Sequence, residues 1–221
     1  MIYFTRNIQK MFISYKKTTK KDVSELVGKR KRFIVLLCAL LFSVSFFISY
    51  SVQARSLGYK WSPVVTSVKF DCLFNTTWTN ATKAGMTAWN SVSSDKPMSC
   101  TSNGSSSNND ISATLKSDNY IAKMFPSTSY STVYGNVFNS ADIVFNTKHS
   151  FVVGQVSGKY DIQSVATHEL GHALGIAHCH DDPNSHVSGD TSYTMYNYSY
   201  TNSIAPRTLT TYDKNAKLSL Y

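Results

Sequence analysis

The chain has 221 residues and a formal net charge of +9 at pH 7, and that charge is concentrated at one end. Residues 1–54 hold ten Lys or Arg against two acidic residues, a net of +8, whereas residues 55–221 hold twelve against eleven, a net of +1. A domain with so little excess charge has no basic patch for phosphate groups, which excludes nucleic acid as a partner. Residues 55–221 are enough for one compact domain.

The N-terminus has the pattern of an export signal. The basic cluster Lys29–Arg32 precedes an uncharged, mostly apolar run of 18 residues from Phe33 to Tyr50, and small residues follow up to Ala54. This pattern predicts a signal peptide that is cleaved before Arg55, with a retained signal-anchor as the alternative. Because the basic flank stays in the cytoplasm, both interpretations make the domain secreted or extracellular, with a membrane contact only through an uncleaved N-terminal segment.

Apolar spacing and turn residues predict the elements of the domain's first half. In chain order they are a strand Ser67–Phe70, an amphipathic helix Thr77–Val92, a Ser/Asn-rich loop Met98–Asp110, and strands Ile111–Leu115, Thr132–Phe138 and Ala141–Phe145. The last two strands are separated by Asn139-Ser140, a pair typical of turns.

Two helices are predicted in the second half. After a connection over Lys148–Lys159, Asp161 caps a helix whose body is Gln163–Leu174. The chain then ends in a helix over Leu209–Tyr221, with Asp213 near its start, where an anion is favourable for the helix dipole.

The segment HELGHALGIAH, which begins at His168, contains the residues that can bind a metal ion and take part in catalysis. His168 and His172 lie four residues apart, so they project from one face of the helix. Gly175 enters left-handed backbone conformations without steric cost, which ends the helix and brings His178 back toward the same point.

Three neutral imidazoles on one cation leave a fourth position for water, the arrangement of a catalytic zinc site. Glu169, beside the first histidine, is placed to take a proton from that water. The chain has one other glutamate, Glu25, which lies in the export segment. We therefore predict one catalytic Zn²⁺ on His168, His172 and His178, with Glu169 as the general base.

Three cysteines remain once the export segment is removed. Cys72 and Cys100 flank the first predicted helix, and we expect a disulfide between them in an exported chain. Cys179 directly follows the third histidine. It is a buried thiol, a member of some other pairing, or a group near the metal, and we favour the buried thiol.

HELGHALGIAH with a downstream methionine resembles the signature of the metzincin zinc peptidases. Met195-Tyr196, and Asp213 standing seven residues before the final Leu220-Tyr221, resemble the matrixin branch, the matrix-metalloproteinase-like enzymes. The resemblance implies a zincin-like α+β domain, a mixed twisted sheet with an active-site helix and a C-terminal helix. It also implies that Met195 forms an apolar Met-turn floor under the zinc, and that Ala141–Phe145 is the edge strand beside which an extended polypeptide substrate lies.

The chain departs from the matrixin pattern at several positions. No cysteine-bearing propeptide lies between Ala54 and the first strand, which does not support latency by a thiol on the zinc. His149 stands alone before the active-site helix, where matrixins hold a structural zinc and calcium, so calcium is unsupported. Asn197 takes the place of the tyrosine ligand of astacins and serralysins, which disfavours Tyr198 as a fifth ligand. The polar residues after the third histidine match no established ligand pattern and are expected to form a solvated loop: His180, Asp181, Asp182, His186 and Asp190.

These residues together predict an exported, monomeric, zinc-dependent endopeptidase. A matrixin-fold surface or binding protein with a vestigial metal is the alternative, against which the intact Glu169 and histidines argue. A third hypothesis, hydrolysis of a non-peptide amide or ester, is not excluded by the site alone.

Overall fold

The computed structural model describes residues 55–101, 107–179 and 190–221. The predicted export segment lies outside these residues, and so do residues 180–189 of the predicted solvated loop, whose Asp190 begins a short 3-10 helix, Asp190–Ser192. In the part that is described, no helix is long and apolar enough to cross a membrane.

A mixed five-stranded sheet and three α-helices form the described domain. Its elements are β1 Val68–Cys72, α1 Thr76–Asn90, β2 Met98–Thr101, β3 Asp110–Thr114, β4 Ala122–Ser131, β5 Gly135–Asn146, β6 Phe151–Val152, β7 Tyr160–Asp161, α2 Ile162–Ala173 and α3 Thr211–Leu220. The main sheet has the order β2-β1-β3-β5-β4, in which β4 alone is antiparallel to its neighbour, while β6 and β7 form a separate parallel pair. This architecture confirms the predicted α+β class with a mixed sheet, an active-site helix and a C-terminal helix.

The structure corrects the prediction of two strands over Thr132–Phe138 and Ala141–Phe145. They are one strand, β5, which pairs with β4, an element that the sequence analysis missed. The register between the two strands shifts at Ser127/Thr128, so that Asn139 is left over opposite them. A β-bulge absorbs such a residue, and the turn-like Asn139-Ser140 pair therefore sits inside a strand.

The predicted edge strand is also wrong. Ala141–Phe145 belongs to β5, which lies between β3 and β4, so the exposed edge at this side of the sheet is β4. Strand β4 escaped prediction because only Met124 of its ten residues is buried, which leaves no alternation of apolar side chains to recognise.

The predicted loop over Met98–Asp110 begins later than expected. Met98–Thr101 is β2, which pairs in parallel with β1 so that Cys100 lies opposite Phe70. Met98 and Cys100 are buried and the two residues between and after them are exposed, a period of two that is too short to stand out among polar neighbours. The predicted cysteine pair, Cys72 and Cys100, is joined in a disulfide between these strands.

Helices α1 and α2 pack directly against each other and build the core behind the site. Trp89 is fully buried in α1 and donates from Nε1 to the carbonyl oxygen of Thr167 in α2 at 2.7 Å. Gly85 allows this close approach, because a Cβ there would lie 2.8 Å from the Thr167 hydroxyl. Helix α2 is thereby held between α1 and the sheet, where it contacts β4 and β5.

Candidate metal centre

The structure brings the three predicted histidines to one point. His168 and His172 project from consecutive turns of α2, and Gly175, at φ +90°, turns the chain so that His178 reaches them. The Nε2 atom of His172 lies 3.1 Å from that of His168 and 3.1 Å from that of His178, and the third separation is 3.3 Å. We call these three residues the histidine cluster.

Backbone carbonyl groups fix the tautomers of two of these rings. The Nδ1 atom of His168 lies 2.7 Å from the Thr194 oxygen, and that of His172 lies 2.7 Å from the Ile176 oxygen. Because a carbonyl oxygen only accepts, each Nδ1 carries the proton and each Nε2 keeps its lone pair. Lone pairs that face one another so closely are the donor set of a metal ion.

Burial keeps the imidazoles of His168 and His172 neutral. It lowers the pKa of His168 to about 4, with help from the neighbouring His178 and against the bond to Thr194. Burial, and then the other two histidines of the cluster, lowers the pKa of His172 well below its usual range. The neutral ring is the form that binds a metal, so no proton has to be displaced near pH 7.

The spacing of the cluster fits zinc. Two nitrogen ligands of a tetrahedral zinc ion lie about 3.3 Å apart when each zinc–nitrogen bond is about 2.0–2.1 Å. The measured separations of 3.1 to 3.3 Å agree with that geometry. Among the described residues, this is the one group of three or more His, Cys, Asp or Glu whose ligand atoms all lie within 4.8 Å of one another.

Glu169 is buried in the same cleft as the histidine cluster. Its Oε2 atom accepts the backbone N–H of Met124 on the edge strand β4 at 2.8 Å. Burial raises the pKa of Glu169 to about 7, while the bond from Met124 and the charge of Lys123 partly oppose the rise. Glu169 is recognisable in the sequence but Met124 is not, because a backbone donor 45 residues away leaves no signal in a local motif.

Met195 is fully buried beside Gly171 of α2, the helix that carries His168 and His172. It sits against Gly171 so closely that a Cβ at Gly171 would overlap the methionine sulfur. Asp213 at the start of α3 accepts the N–H groups of both Thr194 and Met195 at 3.1 Å. Since the Thr194 carbonyl accepts the His168 ring, Asp213 supports one histidine of the cluster through a single intervening residue.

A cleft of ≈ 620 Å³ opens onto the cluster. One side is formed by the edge strand, through residues such as Ala122, Lys123 and Met124, and another by Asn197 to Ser199 after Met195. A third side, which was not predicted, consists of Leu57 and Tyr59. The Leu57 N–H donates to the Gly175 oxygen at 2.8 Å, which holds this side in place.

The other candidate residues that the structure describes lie outside the histidine cluster. Cys179 is buried with Tyr196 and Tyr212, outside the disulfide and outside the histidine cluster. Asn197 and Tyr198 both line the cleft. His149 packs its ring edge-on against Tyr160 at 5.7 Å, away from the cluster.

An α+β domain whose central helix carries two histidines and a glutamate, with a third histidine after a glycine turn, defines a metzincin-type zinc site. The sequence model of peptidase family M10, matrixin, matches residues 60–221, and the chain therefore belongs to the matrixin family. The family is one of zinc metallopeptidases, which confirms the predicted resemblance and fold. A comparison with curated proteins found no match.

Proposed function

We propose that the protein is an exported zinc endopeptidase that hydrolyses peptide bonds in an extended polypeptide. The placement of the Glu169 carboxylate in one cleft with the histidine cluster carries this proposal. The signal pattern that ends at Ala54 supports export.

His168, His172 and His178 would hold the zinc ion, which when bound supplies an acidified water and polarises the scissile carbonyl. Glu169 is the general base. Its Oε2 atom is engaged by Met124, so the proton from the attacking water is taken at Oε1 and then given to the leaving amine nitrogen. The bond from Met124 also holds the carboxylate in one orientation, so the carboxylate does not have to be ordered when the reaction occurs.

The edge strand supports an extended polypeptide as the substrate. The Ile121 carbonyl accepts from Asn146 in β5, so the alternate residues Ala122, Met124 and Pro126 turn their backbone groups to the cleft. The N–H of Met124 is taken by Glu169 and Pro126 has none, so this edge offers mainly carbonyl acceptors. A substrate main chain would add to the sheet by donating its own N–H groups.

The test is cleavage of a diverse peptide library by the zinc-loaded protein, with Glu169→Gln beside it. We expect Glu169→Gln to keep its zinc and to lose about 10²- to 10⁴-fold in kcat/KM, because only the proton acceptor is removed. Asp118→Asn, which removes an exposed carboxylate, is the matched control and should cleave normally. A chelator should abolish cleavage by the wild type.

Two outcomes would contradict the proposal. Cleavage that survives Glu169→Gln would remove the general-base assignment. A wild-type protein that binds zinc yet cleaves no member of the library would favour the binding-protein alternative.

A further inference from the structure

We propose that Arg207 is a positioning residue that sets the preference of the cleft for substrate side chains. The inference rests on the proposed peptidase function and concerns residues 197–204, here called the wall segment. Its first three residues, Asn197, Tyr198 and Ser199, line the cleft. How far this segment stands from the edge strand determines the room left for a substrate side chain.

Arg207 forms a bidentate ion pair with Asp161. The guanidinium Nε donates to Oδ2 at 2.8 Å and its second nitrogen donates to Oδ1 at 2.6 Å. The Asp161 side chain is fully buried, and it also accepts the N–H groups of Ser164 at 2.8 Å and of Gly154 at 2.7 Å. A carboxylate held by so many donors is a fixed anchor, so Arg207 is fixed with it.

Separate contacts tie down the two ends and the middle of the wall segment. Before it, the Met195 N–H donates to Asp213; after it, the Thr194 hydroxyl donates to the Pro206 oxygen at 3.1 Å. In its middle, Asn202 donates its N–H to the Lys159 oxygen at 3.0 Å and accepts from the Gln155 amide at 2.9 Å. The last two contacts are made with the connection that precedes α2, and Asp161 is the last residue of that connection.

The ion pair therefore locks the wall segment to the N-terminal end of α2. The histidine cluster depends on other contacts, since His168 and His172 donate to the Thr194 and Ile176 oxygens. Ile176 lies outside the wall segment. Thr194 also makes the Pro206 contact through its hydroxyl, but its backbone is held separately by Asp213, which accepts the Thr194 N–H. Loss of the ion pair should consequently loosen the wall without displacing the metal ligands.

The experiment compares Arg207→Gln with wild type in the full zinc-loaded chain, using peptides that vary one side chain at a time. We expect kcat/KM for the preferred peptide to fall about tenfold, mostly through KM, as for one lost hydrogen-bonded ion pair. The range of side chains accepted at one substrate position should widen, while the zinc content stays at the wild-type value. Arg207→Lys, which keeps the charge and one donor, should be intermediate.

Lys159→Gln is the matched control, because it removes a cation from the same region while leaving the Lys159 carbonyl contact in place. It should match wild type in selectivity. Gln155→Ala provides an independent variant, since it cuts the second tether and spares the ion pair. It should widen the selectivity at the same substrate position as Arg207→Gln. Amide hydrogen exchange of residues 197–204 should quicken in both variants, a readout that needs no catalysis.

An unchanged selectivity profile with unchanged exchange would overturn the inference. So would a fall in kcat or in zinc content at constant KM, because the pair would then act through α2. A wild type that binds zinc but cleaves no peptide would overturn the proposed function itself, and this inference with it.

Discussion

A single buried carboxylate, Asp161, joins three parts of the chain at the entrance to α2. It caps the helix through Ser164, fixes the preceding connection through Gly154 and pairs with Arg207. Burial alone would raise the pKa of Asp161, but the bonds from these three residues outweigh it and the pKa is lowered. The negative charge of Asp161 therefore stabilises the fold, and this stabilisation should decrease as the pH falls.

We expect Asp161→Asn to lower the free energy of unfolding by about 3 kcal/mol at pH 7, because it leaves Arg207 without its counter-ion. Asparagine is an equally good N-cap, so the helix start is retained. The pKa of an aspartate in the unfolded chain is about 3.9, and that of Asp161 in the folded protein is lower. The ionised Asp161 therefore contributes its full stabilisation above the unfolded pKa. The contribution is lost as the pH falls through the folded pKa.

Urea unfolding of the metal-free protein between pH 7 and pH 2 measures this difference. The gap between wild type and Asp161→Asn should be constant above about pH 5 and should shrink below about pH 4. Asp118→Asn, at an exposed site, is the control. A gap that is independent of pH would show that the charge of Asp161 does not stabilise the fold.

Local spacing explains why some residues of the site could be predicted and others could not. His168, Glu169, His172 and His178 lie within eleven residues, so helix geometry and the turn at Gly175 bring them together. Two of the partners that orient them come from distant parts of the chain: Met124 is 45 residues from Glu169, and Thr194 is 26 residues from His168. No short pattern encodes such a pairing.

At the scale of the element, α2 carries a glycine in its interior for a packing reason. Glycine costs about 1 kcal/mol relative to alanine inside a helix. A Cβ at Gly171, however, would overlap the Met195 sulfur and lie 2.8 Å from the Trp89 ring. The glycine of the motif therefore gives α1 and the methionine their close approach to the helix that bears the ligands.

We expect Gly171→Ala to lower the free energy of unfolding by about 1–3 kcal/mol, despite the better helix propensity of alanine, because the core is overpacked. It should also weaken zinc binding, since Met195 adjoins Thr194, the acceptor of the His168 ring. Chemical denaturation and zinc titration against a competing chelator measure the two effects. In a Met195→Ala background the same change should cost less; an equal cost would mean that the sulfur contact is not the cause.

The elements that were predicted and those that were missed differ in burial. Helix α1 presents buried side chains at a helical period, whereas α2 is buried on nearly all sides and was recognised from its Asp161 cap and the histidine motif. The hairpin of β4 and β5 was not, because β4 is almost wholly exposed and the bulge at Asn139 imitates a turn. Exposed strands are specified by pairing with a neighbour, which a single sequence does not display.

At the scale of the whole molecule, strand order decides which strand forms the exposed edge beside the cleft. Residues 141–145 show strong alternation of buried side chains because they lie inside the sheet, next to β3 and β4. Because of this alternation, residues 141–145 were recognised as a strand from the sequence. An edge strand, in contrast, is usually less apolar and gives a weaker pattern. The cleft and the disulfide occupy opposite edges of the sheet, β4 and β2.

This separation predicts that stability and zinc binding respond differently to loss of the disulfide. Cys72 and Cys100 are 28 residues apart and enclose α1. Closing a loop of that length stabilises the fold by about 3–4 kcal/mol in the chain-entropy description. The double change Cys72→Ser and Cys100→Ser should therefore lower Tm by about 10 °C for a domain of this size.

Zinc binding should be retained in that variant below its Tm, because neither β1 nor β2 contributes a residue to the cleft among those described. Calorimetry and zinc titration of the same sample separate the two properties. Cys179→Ser is the control, since its thiol lies outside both the disulfide and the histidine cluster, and it should keep the stability gained from the disulfide. Loss of zinc together with the disulfide would show that the two edges of the sheet are coupled, so that the histidine cluster needs the far strands to hold its geometry.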